Sequence, residues 1–264
     1  MASRTYSARA LVLRRTKLGE SDVICTLLSS DGSQIRAVAK GARKPSSSFA
    51  SRLEIYSVCD LLFSAGKSLD IVKEARLVEG NAHLRSDIEL MEAAAPMVEL
   101  LDRTTQVGLR DERLFPMACA ALASLKEYVP ESNGKGSMPA EPAKATSAAL
   151  LKILAVLGFR PRFDACACCG APLECTALPA RVSFSLEEGG LVCPACRSRC
   201  EAVALSRDTV LWARALLFST FAEIACFDMD RSQCMAELRF LQMWVRQHLG
   251  MRLKSLDFLV ANLG

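Results

Sequence analysis

Along residues 6–80 apolar and polar positions alternate in short runs, the period of a half-buried strand. The runs predict strands at 6–13, 23–28, 34–40, 53–63 and 69–78. Asp31-Gly32, between the second and third, is a hairpin signal because both residues tolerate positive φ. In the third run Ile35, Ala37 and Ala39 share one face. Residues 41–48 (GARKPSSS) read as a loop, and Ser64-Ala65-Gly66-Lys67-Ser68 as the turn joining the last two strands. Five short strands in so short a stretch predict a small closed barrel of the OB type.

Near Asn81 the period lengthens to that of a helix. Ile88, Met91, Ala95, Val98 and Leu101 recur at helical spacing behind Ser86 and Glu89, which are spaced as a capping box. Further helices are expected at 113–128, 143–157 (closed by Gly158 and Pro161), 208–221, 232–249 and 255–262. Residues 130–142 (PESNGKGSMPAEP) predict a mobile loop or linker. Trp212 and Trp244 lie among apolar residues of their helices and read as core. The expected architecture is a multi-domain α+β chain. An OB-type five-stranded β-barrel at 1–80 precedes an all-α helical domain at 81–264, with a cysteine-rich insertion at about 163–200.

At 264 residues the chain has room for one or two domains, and 51% hydrophobic against 23% charged residues describes a folded chain, not a disordered one. The longest uncharged apolar run, residues 114–125, falls short of the roughly 20 residues a membrane span needs. Arg4, Arg9, Arg14 and Arg15 interrupt the start, so no secretory signal is expected there, and the expected location is cytoplasmic. Charge is unevenly placed. Residues 1–52 hold 10 Lys and Arg against 3 Asp and Glu, while residues 81–264 hold 20 against 21. A basic end on a near-neutral body suggests a polyanionic partner, against the plainer reading of a solvated surface. Arg14, Arg15 and Lys17 close the first strand, and Arg36, Lys40, Arg43, Lys44 and Arg52 flank the loop after the third. On one barrel face and its adjoining loop they would form a phosphate-tracking groove. Aromatic residues are sparse nearby (Tyr6, Phe49, Tyr56, Phe63), which favours backbone-led binding with little sequence preference.

Seven of the 12 cysteines fall between residues 166 and 200. Cys166-x-x-Cys169-Gly170 and Cys193-x-x-Cys196 are paired knuckles, each able to offer two sulfurs to one ion from a tight turn. Together they predict a structural zinc ion held by Cys166, Cys169, Cys193 and Cys196, with no open position for catalysis. Residues 182–192 read as a hairpin leading into the second knuckle. Cys168, Cys175 and Cys200 are surplus, so the ligand set is not unique by spacing alone. A redox dithiol is the alternative chemistry, although neither pair follows a strand in a βαβ context. Cys25, Cys59, Cys119, Cys226 and Cys234 stand among apolar neighbours and read as small core residues.

No catalytic constellation is expected. Gly66-Lys67-Ser68 resembles the end of a phosphate loop, but Leu61 stands where that motif needs glycine and no helix follows. His83 and His248 share no ligand spacing with each other or with the cysteines, and neither sits in a nucleophile motif.

The order of features resembles the RecO family of bacterial recombination mediators. The resemblance is carried by Val12-Leu13-Arg14-Arg15 with Leu18-Gly19-Glu20-Ser21-Asp22, and by Val38-Ala39-Lys40-Gly41-Ala42-Arg43-Lys44. It continues through residues 150–157 with Gly158-Phe159-Arg160-Pro161, and the two knuckles with Phe184 and Gly189-Gly190 between them. It closes on His248-Leu249-Gly250 and Leu253-Lys254-Ser255. It implies an OB domain, a helical domain and an embedded zinc element. It also implies binding of single- and double-stranded DNA, strand annealing, and loading of RecA onto DNA coated with single-strand-binding protein, together with RecR, in a nucleoid-associated cytoplasmic setting. The 130–142 loop and the surplus cysteines depart from the family pattern. Rival readings are a zinc-ribbon RNA-binding or transcription-associated protein and a thiol redox enzyme.

Overall fold

Alternation over the first eighty residues closes into a barrel in the computed structural model, which describes residues 4–126, 128, 140–174 and 177–263. Strands β1 (Thr5–Leu18), β2 (Asp22–Ser29), β3 (Gln34–Ala39), β4 (Val58–Ser64) and β5 (Asp70–Glu79) run in the order β1-β2-β3-β5-β4, with β4 pairing back onto β1. All contacts are antiparallel except β3 with β5. That is the OB arrangement. Its interior is narrow, and small side chains fit it: Cys25, Ala37, Ala39 and Cys59 line it beside Leu27, Leu61 and Phe63.

The barrel departs from simple alternation at one place. The β1–β2 register shifts between Val12 and Arg14. Leu11 and its cross-strand partner Leu28 point away from the barrel interior yet are fully buried. Helix α2 (Ile88–Thr104) packs against these strands and covers that face. Its N-cap is Asp87, whose carboxylate accepts from the Glu89 and Leu90 N–H groups, so Asp87 and not Ser86 caps the helix. The Ser86 hydroxyl donates to the His83 carbonyl instead. Residues 53–57, expected as strand, form a turn because Tyr56 takes positive φ and donates its hydroxyl to the Met91 carbonyl. Short α1 (Ala82–Ser86), unexpected from the sequence, and α3 (Leu114–Ser124) complete a compact unit of residues 1–126.

Residues 127–264 form the second compact unit. Its central helix α4 (Ala140–Val156) is buried almost all round, packed by α5 (Arg207–Phe218), α6 (Phe221–Ala225) and α7 (Arg231–Leu249). The helix starts three residues before the expected Ala143. Residues 130–139 of the expected loop lie outside the described residues. Beyond Val156, the Gly158 N–H reaches the Ala155 carbonyl and the Phe159 N–H the Leu154 carbonyl, the paired bonds of a Schellman closure. Helix α8 (Lys254–Leu263) ends the chain's described part. Of the scattered cysteines, Cys25, Cys59 and Cys234 are buried as expected, whereas Cys119 is half-buried and Cys226 is exposed at the end of α6.

A small sheet, β7 (Gly190–Val192), β6 (Arg181–Ser185) and β8 (Val203–Ser206), holds the cysteine region to the helices. Strand β8 was not legible as a strand. Phe184 of β6 is fully buried and meets Phe240 and Trp244 of α7 edge-on, with ring centroids 5.4 and 5.8 Å away. The Trp244 indole N–H donates to the Phe159 carbonyl, and its ring contacts His248. One anomaly sits in this core: Glu237 of α7 is fully buried, and neither carboxylate oxygen has a hydrogen-bond partner among the described residues.

Candidate metal centre and nucleic-acid interface

The first knuckle is a tight hairpin. The Cys166 N–H donates to the Ala171 carbonyl and the Gly170 N–H to the Cys166 carbonyl, both at 2.8 Å. Gly170 takes φ +74°, a conformation that a side chain disfavours, so the glycine lets the chain fold back after the second sulfur. The second knuckle follows β7, and the Cys196 N–H donates to the Cys193 carbonyl. The β6–β7 hairpin carries Cys193 back to the first knuckle, where its N–H points at the Cys166 sulfur.

All four sulfurs lie within 4.8 Å of one another. Cys169 Sγ and Cys193 Sγ are 3.8 Å apart. A tetrahedral ion bonded at about 2.3 Å to each sulfur needs sulfurs roughly 3.8 Å apart, so the spacing fits one. Burial raises the Cys166 thiol, but backbone N–H groups of Cys193, Cys169 and Cys168 outweigh it and bring its pKa down to about 6. Hydrogen bonds with Cys169 and Cys193 push the Cys196 thiol up to about 12. Sulfurs this close cannot all ionise unless a cation sits among them. The four residues can therefore hold a metal ion. Cys168 and Cys200 are not among these four sulfurs, although Cys200 packs beside them, and pair with each other, sulfur to sulfur, at 3.1 Å. That bond pushes the Cys168 thiol up to about 12, the reverse of what a reactive thiolate needs. Cys175 lies outside the described residues.

The eight basic residues singled out in the sequence fall in several places on the first unit. Arg14, Thr26 and Arg36 form one cross-strand row on the outer face, with Arg14 paired to Asp102 of α2 at 2.8 Å. Arg15 is half-buried and bound to Glu54. Lys17 is exposed near the end of β1. Lys40, Arg43 and Lys44 gather at the β1–β2 turn. The Gly41 N–H donates to Asp22, and the Arg43 guanidinium donates to the Gly19 and Glu20 carbonyls. The Gly41 N–H and the Ser21 hydroxyl, with Lys40 and Lys44 nearby, hold the Asp22 carboxyl below its usual range. Arg52 turns the other way and donates to the Ala75 carbonyl. The shift at Arg14 and the loop crossing after β3 divide what alternation alone would put on one face.

Two grooves organise the surface. One of about 660 Å³ is lined by Arg36, Lys67 and Arg110, with Tyr6, Asp31 and Asp70. Arg110 pairs with Asp31, and the Tyr6 hydroxyl binds Asp70. The other, about 600 Å³, is lined by Arg9, Arg52, Lys73 and Arg76 with Asp60, Glu74 and Phe49. Arg9 and Arg76 both bind Asp60, whose carboxyl drops to about 2 under the first of these bonds and then the second. The grooves meet at Ser7 and Ala8. Arg9, Lys67, Lys73, Arg76 and Arg110 were missed as candidates. For Arg9, Lys73 and Arg76 the signal was available, since each directly adjoins a buried apolar position of its strand, Ala10, Val72 and Ala75.

The chain matches two family models: Recombination protein O N terminal over residues 1–81 and Recombination protein O C terminal over residues 85–257. It is 35% identical over 202 residues to the DNA repair protein RecO of Desulfitobacterium hafniense (strain DSM 10664 / DCB-2), covering 76% of this chain and 68% of that protein. It is 31% identical over 255 residues to the DNA repair protein RecO of Bifidobacterium adolescentis, covering 96% and 98%. A third relative, the DNA repair protein RecO of Cutibacterium acnes, is 31% identical over 256 residues, covering 97% and 98%. No helix among the described residues is long and apolar enough to cross a membrane.

Proposed function

The chain belongs to the RecO family of DNA repair proteins, and on that premise we propose that it is a recombination mediator that grips DNA by its phosphate backbone. The observation that supports this reading best is the pair of connected basic grooves on the barrel, with Arg36 and Lys67 in one and Arg52 and Lys73 in the other. Cations along a groove displace condensed counterions from a strand, and that release drives binding without regard to sequence. The proposed DNA-binding set is Arg14, Arg15, Lys17, Arg36, Lys40, Arg43, Lys44 and Arg52, of which Arg36 and Arg52 line the grooves and Lys40, Arg43 and Lys44 offer a further basic cluster at the β1–β2 turn. Arg14 and Arg15 would contribute least, because each already has a carboxylate partner.

In this reading the barrel at 1–80 captures single- and double-stranded DNA. Neutralising two strands held close lowers their mutual repulsion and favours annealing. The helical part of the chain, residues 81–264, contributes surfaces for RecR and single-strand-binding protein, and so helps RecA onto coated DNA. The metal is a structural zinc ion held by the four thiolates of Cys166, Cys169, Cys193 and Cys196. A closed four-sulfur set leaves no position for substrate, and the site's work is to fasten the 163–200 insertion. No catalytic residues are assigned.

The test is annealing of complementary oligonucleotides coated with single-strand-binding protein. The purified chain should speed annealing well above the coated strands alone, and RecR should alter that rate. No acceleration at any protein concentration would overturn the mediator reading.

A further inference from the structure

We infer that the helical unit carries a second nucleic-acid contact, a base-stacking site at Phe218. The inference rests on the DNA-binding reading and adds a site to it, far along the chain from the barrel residues.

Phe218 is the last residue of α5, and 56% of its surface is exposed. Two guanidiniums lie against its ring, Arg160 at 4.8 Å and Arg214 at 5.8 Å from the centroid. Both arginines are exposed, and neither has a carboxylate partner among the described residues. Arg214 sits one turn before Phe218 on α5, so the ring and the charge share a helix face. Arg160 arrives from the segment after α4, directly beyond the Schellman closure at Gly158 and Phe159.

The segment beneath the ring is fastened. Lys152 of α4 donates its ammonium to the Leu217 and Ser219 carbonyls, at 2.9 and 2.6 Å, and lies over the Phe221 ring at 5.7 Å. Glu223 is the acid near Lys152, and its carboxylate is engaged by the Thr220 N–H and hydroxyl in the α6 capping box. The patch therefore presents an exposed ring with two guanidiniums over it on a fixed backbone.

Charge complementarity selects the occupant. Two guanidiniums converging on one ring call for an anion, and the exposed ring and the guanidinium planes lying over it offer flat faces to a planar group. A single strand supplies both, because phosphates satisfy the arginines while a base stacks on the ring or on a guanidinium plane. A duplex hides its base faces, so the site should discriminate single from double strands where the barrel's backbone-led grooves do not. A mediator with one strand contact on each unit has the means to hold a strand while its complement is recruited.

The test compares oligothymidylate with an abasic strand of equal length, with binding read by fluorescence anisotropy on the full chain. Wild-type protein should prefer the strand that carries bases. Phe218→Ala should weaken oligothymidylate binding by roughly tenfold, within the span expected for one stacked base, and leave abasic-strand binding unchanged. Phe218→Trp should retain the preference. An Arg160→Ala/Arg214→Ala variant should weaken both strands. If Phe218→Ala binds both strands as wild type does, the stacking site falls while the barrel reading stands. If wild type binds neither strand, the DNA-binding reading itself falls. If Phe218→Ala loses only an acidic peptide and no oligonucleotide affinity, the patch is a protein-docking surface and the inference is overturned.

Discussion

Removing the buried carboxyl of Glu237 should make the protein more stable near neutral pH. The residue is fully buried on α7, and both oxygens lack hydrogen-bond partners among the described residues. Lys144 of α4, the buried lysine of this unit, spends its donors on the Ala225 and Phe227 carbonyls. Burial therefore raises the Glu237 pKa well above the ordinary 4.5. The sign follows. Below about pH 4.5 the carboxyl is protonated in both folded and unfolded chains and costs nothing electrostatically. Above it the unfolded chain ionises and the folded chain does not, so each pH unit costs about 1.4 kcal/mol of stability until the folded carboxyl also ionises. Glu237→Gln removes that pH-dependent part. Glu237→Met also removes the unpartnered polar atoms, a further gain of about 1–3 kcal/mol. Urea unfolding followed by tryptophan fluorescence suits the test, because both tryptophans, Trp212 and Trp244, lie in the helical unit. At pH 7 the expected order is Met, then Gln, then wild type, and wild type and Gln should converge near pH 4. A Gln variant less stable than wild type at pH 7, or a difference independent of pH, would refute the reasoning.

Metal content is the next expectation. Purified reduced chain should carry one zinc ion, Cys166→Ser and Cys196→Ser should lose it together with stability of the helical unit, and chelation should reproduce that loss, because binding energy at such a site is folding energy; metal-free wild-type protein with unchanged stability would count against the site. Cys168→Ser and Cys200→Ser should keep the ion, since their sulfurs pair with each other outside the four-sulfur set; loss of zinc from either would reassign the ligands.

Much of the barrel was legible because its strands obey a local rule. Ile35, Ala37 and Ala39 alternate without interruption, and they line the interior as that alternation requires. The strand expected at 53–57 fails where tertiary context overrides pattern: Tyr56 bends the chain to place its hydroxyl on α2. The Asp87 cap was missed by one residue because Ser86 and Asp87 are both good capping types, and only the backbone geometry separates them. At the metal centre the C-x-x-C spacing identified the four sulfurs that converge. The pairing of Cys168 with Cys200 was not legible, because it depends on how the two knuckles meet in space. The basic residues show the same limit most clearly. Their composition was plain, but the register shift at Arg14 and the carboxylates at Asp102 and Glu54 decide which cations remain available. Lys67 and Arg110 join Arg36 through pairings distant in sequence. Glu237 could not have been foreseen, since helical period alone does not distinguish a charged residue facing the core from one at its edge.

The claim that the barrel grips phosphate is tested most directly by the salt dependence of single-strand binding in an Arg36→Ala/Lys40→Ala/Lys44→Ala variant. Arg43 is left intact because its guanidinium binds the Gly19 and Glu20 carbonyls, and its loss would loosen the turn as well as remove a charge. On single strands each phosphate contact adds roughly 0.7 to the slope of log affinity against log salt, so three lost contacts should flatten it by about 2. The loss in affinity should be the same for strands of different sequence, with zinc content unchanged. Wild-type affinity and an unaltered slope in this variant would contradict the account and leave these cations as a solvated surface.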